Sequence, residues 1–129
     1  MFLRLEPVSE KPLYQQIRDE IIEGLASGQL ANGDSLPSTR QLAMDFGINF
    51  HTVNKAYDML RHEGIISLNR KTGAVVTLSK AGDEFVTDWS TCLRTLLAEM
   101  FVKGMDKDEL LKRCSEAIDS FVSPNNETK

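Results

Sequence analysis

Apolar residues recur at spacings of three and four along several stretches of this chain, which is the pattern of helices that bury one face. These stripes are Tyr14, Ile17, Ile21 and Leu25; Val53, Ala56, Tyr57 and Leu60; Phe85, Trp89, Leu93, Leu96 and Met100; and Leu110, Cys114, Ala117, Ile118 and Phe121. Residues 65–78 instead contain two runs rich in β-branched residues around a loop with Gly73, which predicts a β-hairpin. We therefore expect a mainly α fold with a small β-hairpin.

Residues 36–63 contain the signals of two short helices joined by a tight turn. Ser38 followed by Gln41 has the spacing of a capping box, in which side chains satisfy the free N–H groups of the first helical turn. Gly47 supplies the permissive backbone of a sharp turn, and Asn49 is a favourable cap for a second helix that ends before Gly64. The pattern predicts a helix-turn-helix unit.

The phase of the second helix determines which of its side chains are free to contact a partner. If the Val53 stripe packs on a core, His51 and Lys55 point away from it, with Thr52 and Asn54 on the flanks. Hydrogen-bonding side chains in the first turns are typical of a recognition helix that contacts base edges. The alternative is that this is only the solvated face of a small helical domain.

The predicted hairpin directly follows the helix-turn-helix and carries two adjacent cations, Arg70 and Lys71, at its tip. This order of elements is that of a winged helix, in which the hairpin, or wing, reaches an adjacent groove or run of phosphates. The alternative is that the two cations only keep the loop soluble.

Three consecutive segments carry a resemblance to a known family: PLYQQIRDEI at 12–21, GQLANGDSLPSTRQLA at 28–43 and INFHTVNKAYDMLRHEGII at 48–66. In this order they resemble the N-terminal DNA-binding domain of GntR-type bacterial transcription regulators, over residues 7–80. With a short segment after residue 80, the chain looks like the YtrA subfamily. The resemblance implies a small helical dimerisation element in place of a large effector domain.

The resemblance also implies a set of DNA-contacting residues. Arg40 matches a DNA-contacting arginine of the family, on the helix before the recognition helix. Two departures are present: residues 49–52 are Asn-Phe-His-Thr where subfamily members often carry Asn-Pro-Asn-Thr, and the wing lacks the usual second glycine beside Arg70. The predicted DNA-contacting residues are Ser38, Thr39, Arg40, Asn49, His51, Thr52, Asn54, Lys55, Arg70, Lys71, Thr72 and Gly73.

The net charge of −4 is unexpected for a DNA-binding protein, because affinity for DNA comes largely from phosphate neutralisation by Lys and Arg. The charges are unevenly distributed, however. Residues 36–80 hold six basic and three acidic residues, whereas residues 1–35 hold three and six, and residues 81–129 hold six and ten. The positive balance therefore lies in the segment predicted to face DNA, where a local patch matters more than the total.

The length of 129 residues suits one modest domain with an appendage, which we place at residues 1–80 and 81–129. Because the sequence has no 18-residue apolar stretch and no secretory signal, we expect no membrane partner and a cytoplasmic location. In that reducing compartment Cys92 and Cys114 are expected to act as small apolar residues, the alternative being a redox-sensing pair.

The last two predicted helices, joined at Gly104 and Met105, form a hairpin that cannot cover its own apolar faces. Either the hairpin packs back on the winged domain, or the hairpins of two chains pair into a four-helix arrangement. We favour the homodimer, which would present two recognition helices to the half-sites of an approximately palindromic operator. The predicted dimer-interface residues are Phe85, Trp89, Leu93, Leu96, Met100, Leu110, Cys114, Ile118 and Phe121.

Catalysis and metal binding find little support in the sequence. His51 and His62 lie eleven residues apart without Cys or carboxylates at ligand spacing, and no phosphate-binding loop or nucleophile motif is present. We expect no cofactor, no enzyme activity and a homodimeric repressor that occupies its operator on double-stranded DNA. The family resemblance suggests control of its own operon, often with transporter genes, and the sequence names no small-molecule effector. The alternative function is a winged-helix module for protein interaction.

Overall fold

The protein is described by a computed structural model over residues 3–122. It consists of two compact units, and the boundary between them along the chain lies between Ser79 and Lys80. Over these residues the chain is mainly α with one small antiparallel sheet, so the predicted fold class is confirmed. The elements are α1 Leu13–Ala26, β1 Ser35–Leu36, α2 Thr39–Phe46, α3 Phe50–His62, β2 Ile66–Asn69, β3 Gly73–Val76, α4 Asp83–Val102 and α5 Lys107–Phe121.

Local hydrogen bonds fix the ends of α2 and α3 where the sequence predicted them. The Ser38 hydroxyl oxygen accepts from the Gln41 N–H at 3.0 Å, but the Gln41 amide bonds to Asp45 instead of completing the capping box. Gly47 adopts a left-handed φ of 62°, and the Asn49 side chain accepts from the His51 N–H at 2.7 Å. The helix-turn-helix is therefore confirmed.

The core of the first unit is built around the apolar stripe of α3. Val53, Ala56, Tyr57 and Leu60 are at most 1% exposed, and α1 and α2 both pack against this helix. Each fully buried aliphatic side chain of this kind stabilises a fold by about 1.5–3 kcal/mol. The Tyr57 hydroxyl donates to the Pro37 carbonyl oxygen at 2.6 Å, and burial raises the pKa of this phenol. Tyr57 thereby fixes the chain just before α2.

The sheet has the order β1-β3-β2, with both pairs antiparallel. The predicted hairpin is present, and Asn69 pairs with Gly73 at its tip. The sequence analysis predicted no strand before α2, whereas Ser35 and Leu36 form β1 alongside β3. A two-residue strand is too short to leave a periodic pattern, and its pairing depends on the distant β3.

The segment before α1 shows no periodicity in the sequence, yet the structure anchors it. The buried Gln16 amide donates to the carbonyl oxygens of Glu6 and Lys11 at 3.0 and 2.7 Å, and its oxygen accepts from the Glu6 N–H at 2.7 Å. Leu3 joins the core cluster. Pro12 stands at the N-cap of α1.

Charged side chains join α1 to the end of α3. Arg18 and Glu63 form a half-buried ion pair with an Nη2–Oε1 distance of 2.5 Å, and the hydrogen bond to Glu63 is the main cause of a raised Arg18 pKa. Asp19 bonds to Arg18 at 3.0 Å and to Lys11. Burial alone would raise the Asp19 pKa, but hydrogen bonds from Lys11, Arg18 and Gln15 outweigh it and lower this pKa.

The second unit contains α4 and α5, with Gly104 at a φ of 92° between them and Asp106 accepting from the Glu109 N–H at 2.9 Å. The helix boundaries agree with the sequence, and the backbones of the two helices approach each other closely at few points. None of the 20 residues of α4 is buried. Between residues 3 and 122 no helix, α4 included, is both long and apolar enough to cross a bilayer.

The residues predicted for a dimer interface differ widely in exposure. Phe85, Trp89, Leu96 and Ile118 are 55–60% exposed. Leu110 is only 8% exposed, so its burial is already satisfied within the single chain. Four others lie between these extremes and are partly buried: Leu93, Met100, Cys114 and Phe121.

Tyr57→Phe tests how the buried hydroxyl fixes the start of α2. We expect the free energy of unfolding to fall by about 1 kcal/mol, because the Pro37 carbonyl oxygen loses its hydrogen bond. Urea unfolding followed by circular dichroism measures the change. Tyr14→Phe is the matched control, since the Tyr14 hydroxyl makes no hydrogen bond to the described residues, and an equal loss in both variants would contradict the assignment.

Asp19→Asn tests the ion pairs of α1 through pH. Because folding lowers the Asp19 pKa, the ionised carboxylate stabilises the fold above its unfolded pKa, and this contribution disappears as pH falls through the folded value. We expect the stability difference between wild type and variant to be largest at pH 7 and to shrink below about pH 4. Urea unfolding at several pH values measures it, with Asp58→Asn as the charge-matched control; a constant difference would refute the linkage.

Candidate nucleic-acid interface

The first turns of α3 expose their polar side chains, as the helical phase predicted. His51, Asn54 and Lys55 are exposed and Thr52 is partly buried, while Val53 on the opposite face is fully buried. Burial of one face therefore leaves the hydrogen-bonding groups of the other in solvent. The first turn of a recognition helix needs this arrangement to contact base edges.

A groove of about 330 Å³ joins α3 to the start of α2 and to the wing. The groove brings together residues from three elements, so residues that are distant in sequence can contact the same ligand. Five of the twelve predicted DNA-contacting residues line it: Ser38, Thr39, Asn54, Arg70 and Gly73. Sequence reasoning missed the polar Asn69 and the apolar Leu68 and Ala74 in the same lining, because they were assigned only to the hairpin.

Arg40, Phe50 and His51 form a second cluster between the start of α2 and the start of α3. The Arg40 guanidinium carbon lies 5.1 Å from the centroid of the Phe50 ring, a cation–π distance. The Phe50 and His51 ring centroids are 5.4 Å apart, with an angle of 61° between the rings. Two predicted contact residues from different helices thus share one aromatic neighbour that the sequence did not single out.

Unlike the other residues predicted on this face, Lys55 contacts an aromatic ring of α1. Its ammonium nitrogen lies 4.1 Å from the centroid of the Tyr14 ring, which belongs to α1. Tyr14 packs against the hydrophobic core cluster, as its place in the α1 stripe predicted, but it is only partly buried and also contacts this cation. Such a contact restricts the ammonium while its N–H groups can still donate.

The wing tip consists of Arg70, Lys71 and Thr72, all exposed between β2 and β3. The Asn69 side chain accepts from the Lys71 N–H at 2.8 Å, and Gly73 closes the loop with a φ of 72°. This left-handed backbone favours glycine, because a Cβ there is strained. The loop therefore has a defined conformation in which the two cations project from the sheet.

In this region ion pairs occupy acidic side chains but leave several basic side chains available to bind an anion. Glu63 is paired with Arg18, and Asp58 with Arg61. Within residues 3–122 no carboxylate pairs with the cations of the candidate interface, which are Arg40, Lys55, Arg70 and Lys71. The local electrostatic field is thus more favourable to an anion than the net charge of −4 suggests.

Some predicted contact residues also have structural roles. The Ser38 hydroxyl oxygen and the Asn49 amide oxygen each accept a backbone N–H at a helix start. Their remaining donors, a hydroxyl hydrogen and an amide NH₂, are still free to bond a ligand.

Among the described residues no cluster of His, Cys, Asp and Glu has the geometry of a metal site, and the Cys92 and Cys114 thiols are unpaired.

Comparison with known proteins places this architecture in a family. Residues 13–76 match the family described as bacterial regulatory proteins, gntR family. The chain is 34% identical over 119 residues to the HTH-type transcriptional regulator YhcF of Bacillus subtilis, covering 88% of this chain and 93% of YhcF. The chain belongs to the GntR family. This GntR regulator is also 33% identical to the transcriptional repressor YtrA of Bacillus subtilis over 78% of the chain and 76% of YtrA, which makes it YtrA-like.

Solved structures support the same assignment. YtrA from Sulfolobus acidocaldarius, a GntR-family transcription factor, is 36% identical with a TM-score of 0.65, covering 79% of this GntR regulator and 99% of that chain. The DNA-binding domain of AraR in complex with operator ORX1 is 27% identical with a TM-score of 0.52, covering 60% of this chain and 99% of that chain. The protein is therefore a transcriptional regulator with a winged helix-turn-helix.

Proposed function

We propose that this regulator binds an operator as a homodimer and represses transcription by occupying a promoter. The observation that carries the DNA-binding part is the groove where the start of α2, the exposed face of α3 and the wing meet. Polar and cationic groups from three elements converge there on a rigid core. The similarity of this fold to an AraR domain bound to its operator supports the same mode of binding.

In this mode the first turns of α3 enter the major groove and contact base edges. His51 and Asn54 have side chains of suitable length and hydrogen-bonding capacity. Arg40 lies on α2, which crosses the phosphate backbone in such complexes, and the wing cations reach neighbouring phosphates. Contacts from α3 then supply sequence preference, whereas the wing supplies mainly affinity.

The apolar surface of α4 supports the homodimer. Phe85, Trp89 and Leu96 are each more than half exposed, although their side chains are large and apolar. An amphipathic helix obtains most of its stability from tertiary packing, so a 20-residue helix without a buried residue calls for a partner. A second copy supplies a matching surface by two-fold symmetry, and it also doubles the DNA contacts.

Repression requires only that the bound dimer exclude the transcription machinery from its site. The related YtrA of Bacillus subtilis is a repressor by name. We extend the proposal to control of the protein's own promoter, with transporter genes in the same operon. Fluorescence anisotropy with the gene's upstream region and a scrambled duplex tests it, and equal affinity for the two duplexes would contradict it.

Arg70→Gln tests the contribution of the wing to phosphate binding. Each lost phosphate contact removes about one unit from the slope of log affinity against log salt, so a dimer should lose about two. Anisotropy titrations at several salt concentrations give the slope. Lys112→Gln, the same charge change on α5, is the control and should leave the slope unchanged; an unchanged slope in Arg70→Gln would remove the wing from the interface.

Trp89→Asp tests the homodimer. Wild type should have a mass near twice the 14.5 kDa of the chain, and the variant should be a monomer at micromolar concentration, because a buried, unpaired carboxylate strongly opposes association. Light scattering coupled to size exclusion measures both. Val8→Ser alters a 95% exposed apolar residue of the first unit and should remain dimeric. A monomeric wild type would refute the proposal.

A further inference from the structure

Phe50 links the core of the first unit to its exposed surface. It is the first residue of α3, and its side chain is partly buried against the hydrophobic core cluster. The core therefore restrains the ring from one side. On the exposed side the same ring contacts Arg40 at 5.1 Å and His51 at 5.4 Å.

Arg40 and His51 have no competing polar partner. Within residues 3–122 the Arg40 guanidinium makes no salt bridge, and neither it nor the His51 ring makes a side-chain hydrogen bond. Both are exposed. The contact with Phe50 is thus the specific interaction that restrains each of them, although they belong to different helices.

The geometry leaves the hydrogen-bonding atoms of both side chains available. The guanidinium has five N–H donors, and a contact with one ring leaves donors on its other sides free for a phosphate or a base. The His51 imidazole has two ring nitrogens on different sides, so a contact with the single Phe50 ring does not occupy both as donors or acceptors. Arg40 and His51 can therefore contact DNA without leaving the Phe50 ring.

We propose that Phe50 is a positioning residue for DNA recognition, which holds Arg40 and His51 at a fixed separation before DNA arrives. This inference rests on the proposed function and adds a residue that does not itself bond a base. Restraining a long side chain in its bound conformation reduces the entropy lost on binding. Because one ring restrains both side chains, the contribution of Arg40 to binding depends on the residue at position 50.

The experiment is a double-mutant cycle with duplex DNA selected from a random library by the wild-type protein. Affinities for the selected duplex and for a scrambled one are measured by anisotropy for wild type, Phe50→Leu, Arg40→Ala and the double variant. Leucine keeps an apolar side chain against the core but removes the ring face. We expect a coupling of about two- to fivefold between the two positions on the selected duplex, the range of an exposed cation–π contact.

A matched pair on α1 controls for general effects of losing an aromatic ring. Tyr14→Leu removes the ring that contacts Lys55, and it should combine additively with Arg40→Ala because these residues do not touch. Thermal unfolding of each variant checks the fold. If Phe50→Leu is unfolded at the assay temperature, Phe50→Met repeats the cycle with an unbranched side chain that fills irregular gaps.

The possible results separate this inference from the proposed function. Coupling in the Phe50 cycle with additivity in the Tyr14 cycle supports the positioning role. Additive effects in the Phe50 cycle, with a wild type that distinguishes the two duplexes, overturn the inference and leave the proposed function intact. A wild type that binds both duplexes equally overturns both.

Discussion

Burial of one face of α3 is the constraint on which the rest of the first unit depends. Val53, Ala56, Tyr57 and Leu60 are held in the core, and α1 and α2 both pack on the same helix. Because an α-helix turns 100° per residue, this burial fixes the direction of every other side chain on α3. The exposure of His51, Asn54 and Lys55 follows from it, and so does the position of the groove beside them.

Three aromatic side chains pack against the protein and restrain polar groups near its surface. Tyr57 holds the Pro37 carbonyl before α2, Tyr14 lies beneath the Lys55 ammonium, and Phe50 lies beside Arg40 and His51. Each has an apolar body against the protein and contacts a polar group at its outer side. This arrangement lets long, flexible side chains have a preferred position at a solvated surface, where ion pairs alone contribute little.

The two units meet different physical requirements of the proposed regulator. The first has a buried core and a candidate interface whose four cations pair with no carboxylate within residues 3–122. The second carries the excess of acidic residues and an α4 helix with no buried residue. A net negative protein can therefore present a locally positive surface, and in the proposed homodimer a second copy of the chain would cover the apolar surface of α4.

The sequence alone was sufficient for the helices, the turn between α2 and α3 and the wing, because these depend on local signals. Caps such as Ser38 and Asn49, the left-handed Gly47 and the spacing of the Val53 stripe act within a few residues of where they occur. The same stripe also predicted which residues of α3 face solvent. The family resemblance pointed to nine of the twelve candidate DNA-contacting residues, all except Ser38, Thr39 and Lys55.

Only the tertiary structure decided which of those residues lie together. The pairing of β1 with β3, the contact of Lys55 with Tyr14 and the contact of Arg40 with Phe50 each join different elements, and no periodicity encodes them. The sequence likewise predicted that the apolar stripes of α4 and α5 need a further covering surface, and the structure leaves α4 without a buried residue. An apolar stripe specifies that a face needs covering, but the covering surface depends on distances in three dimensions.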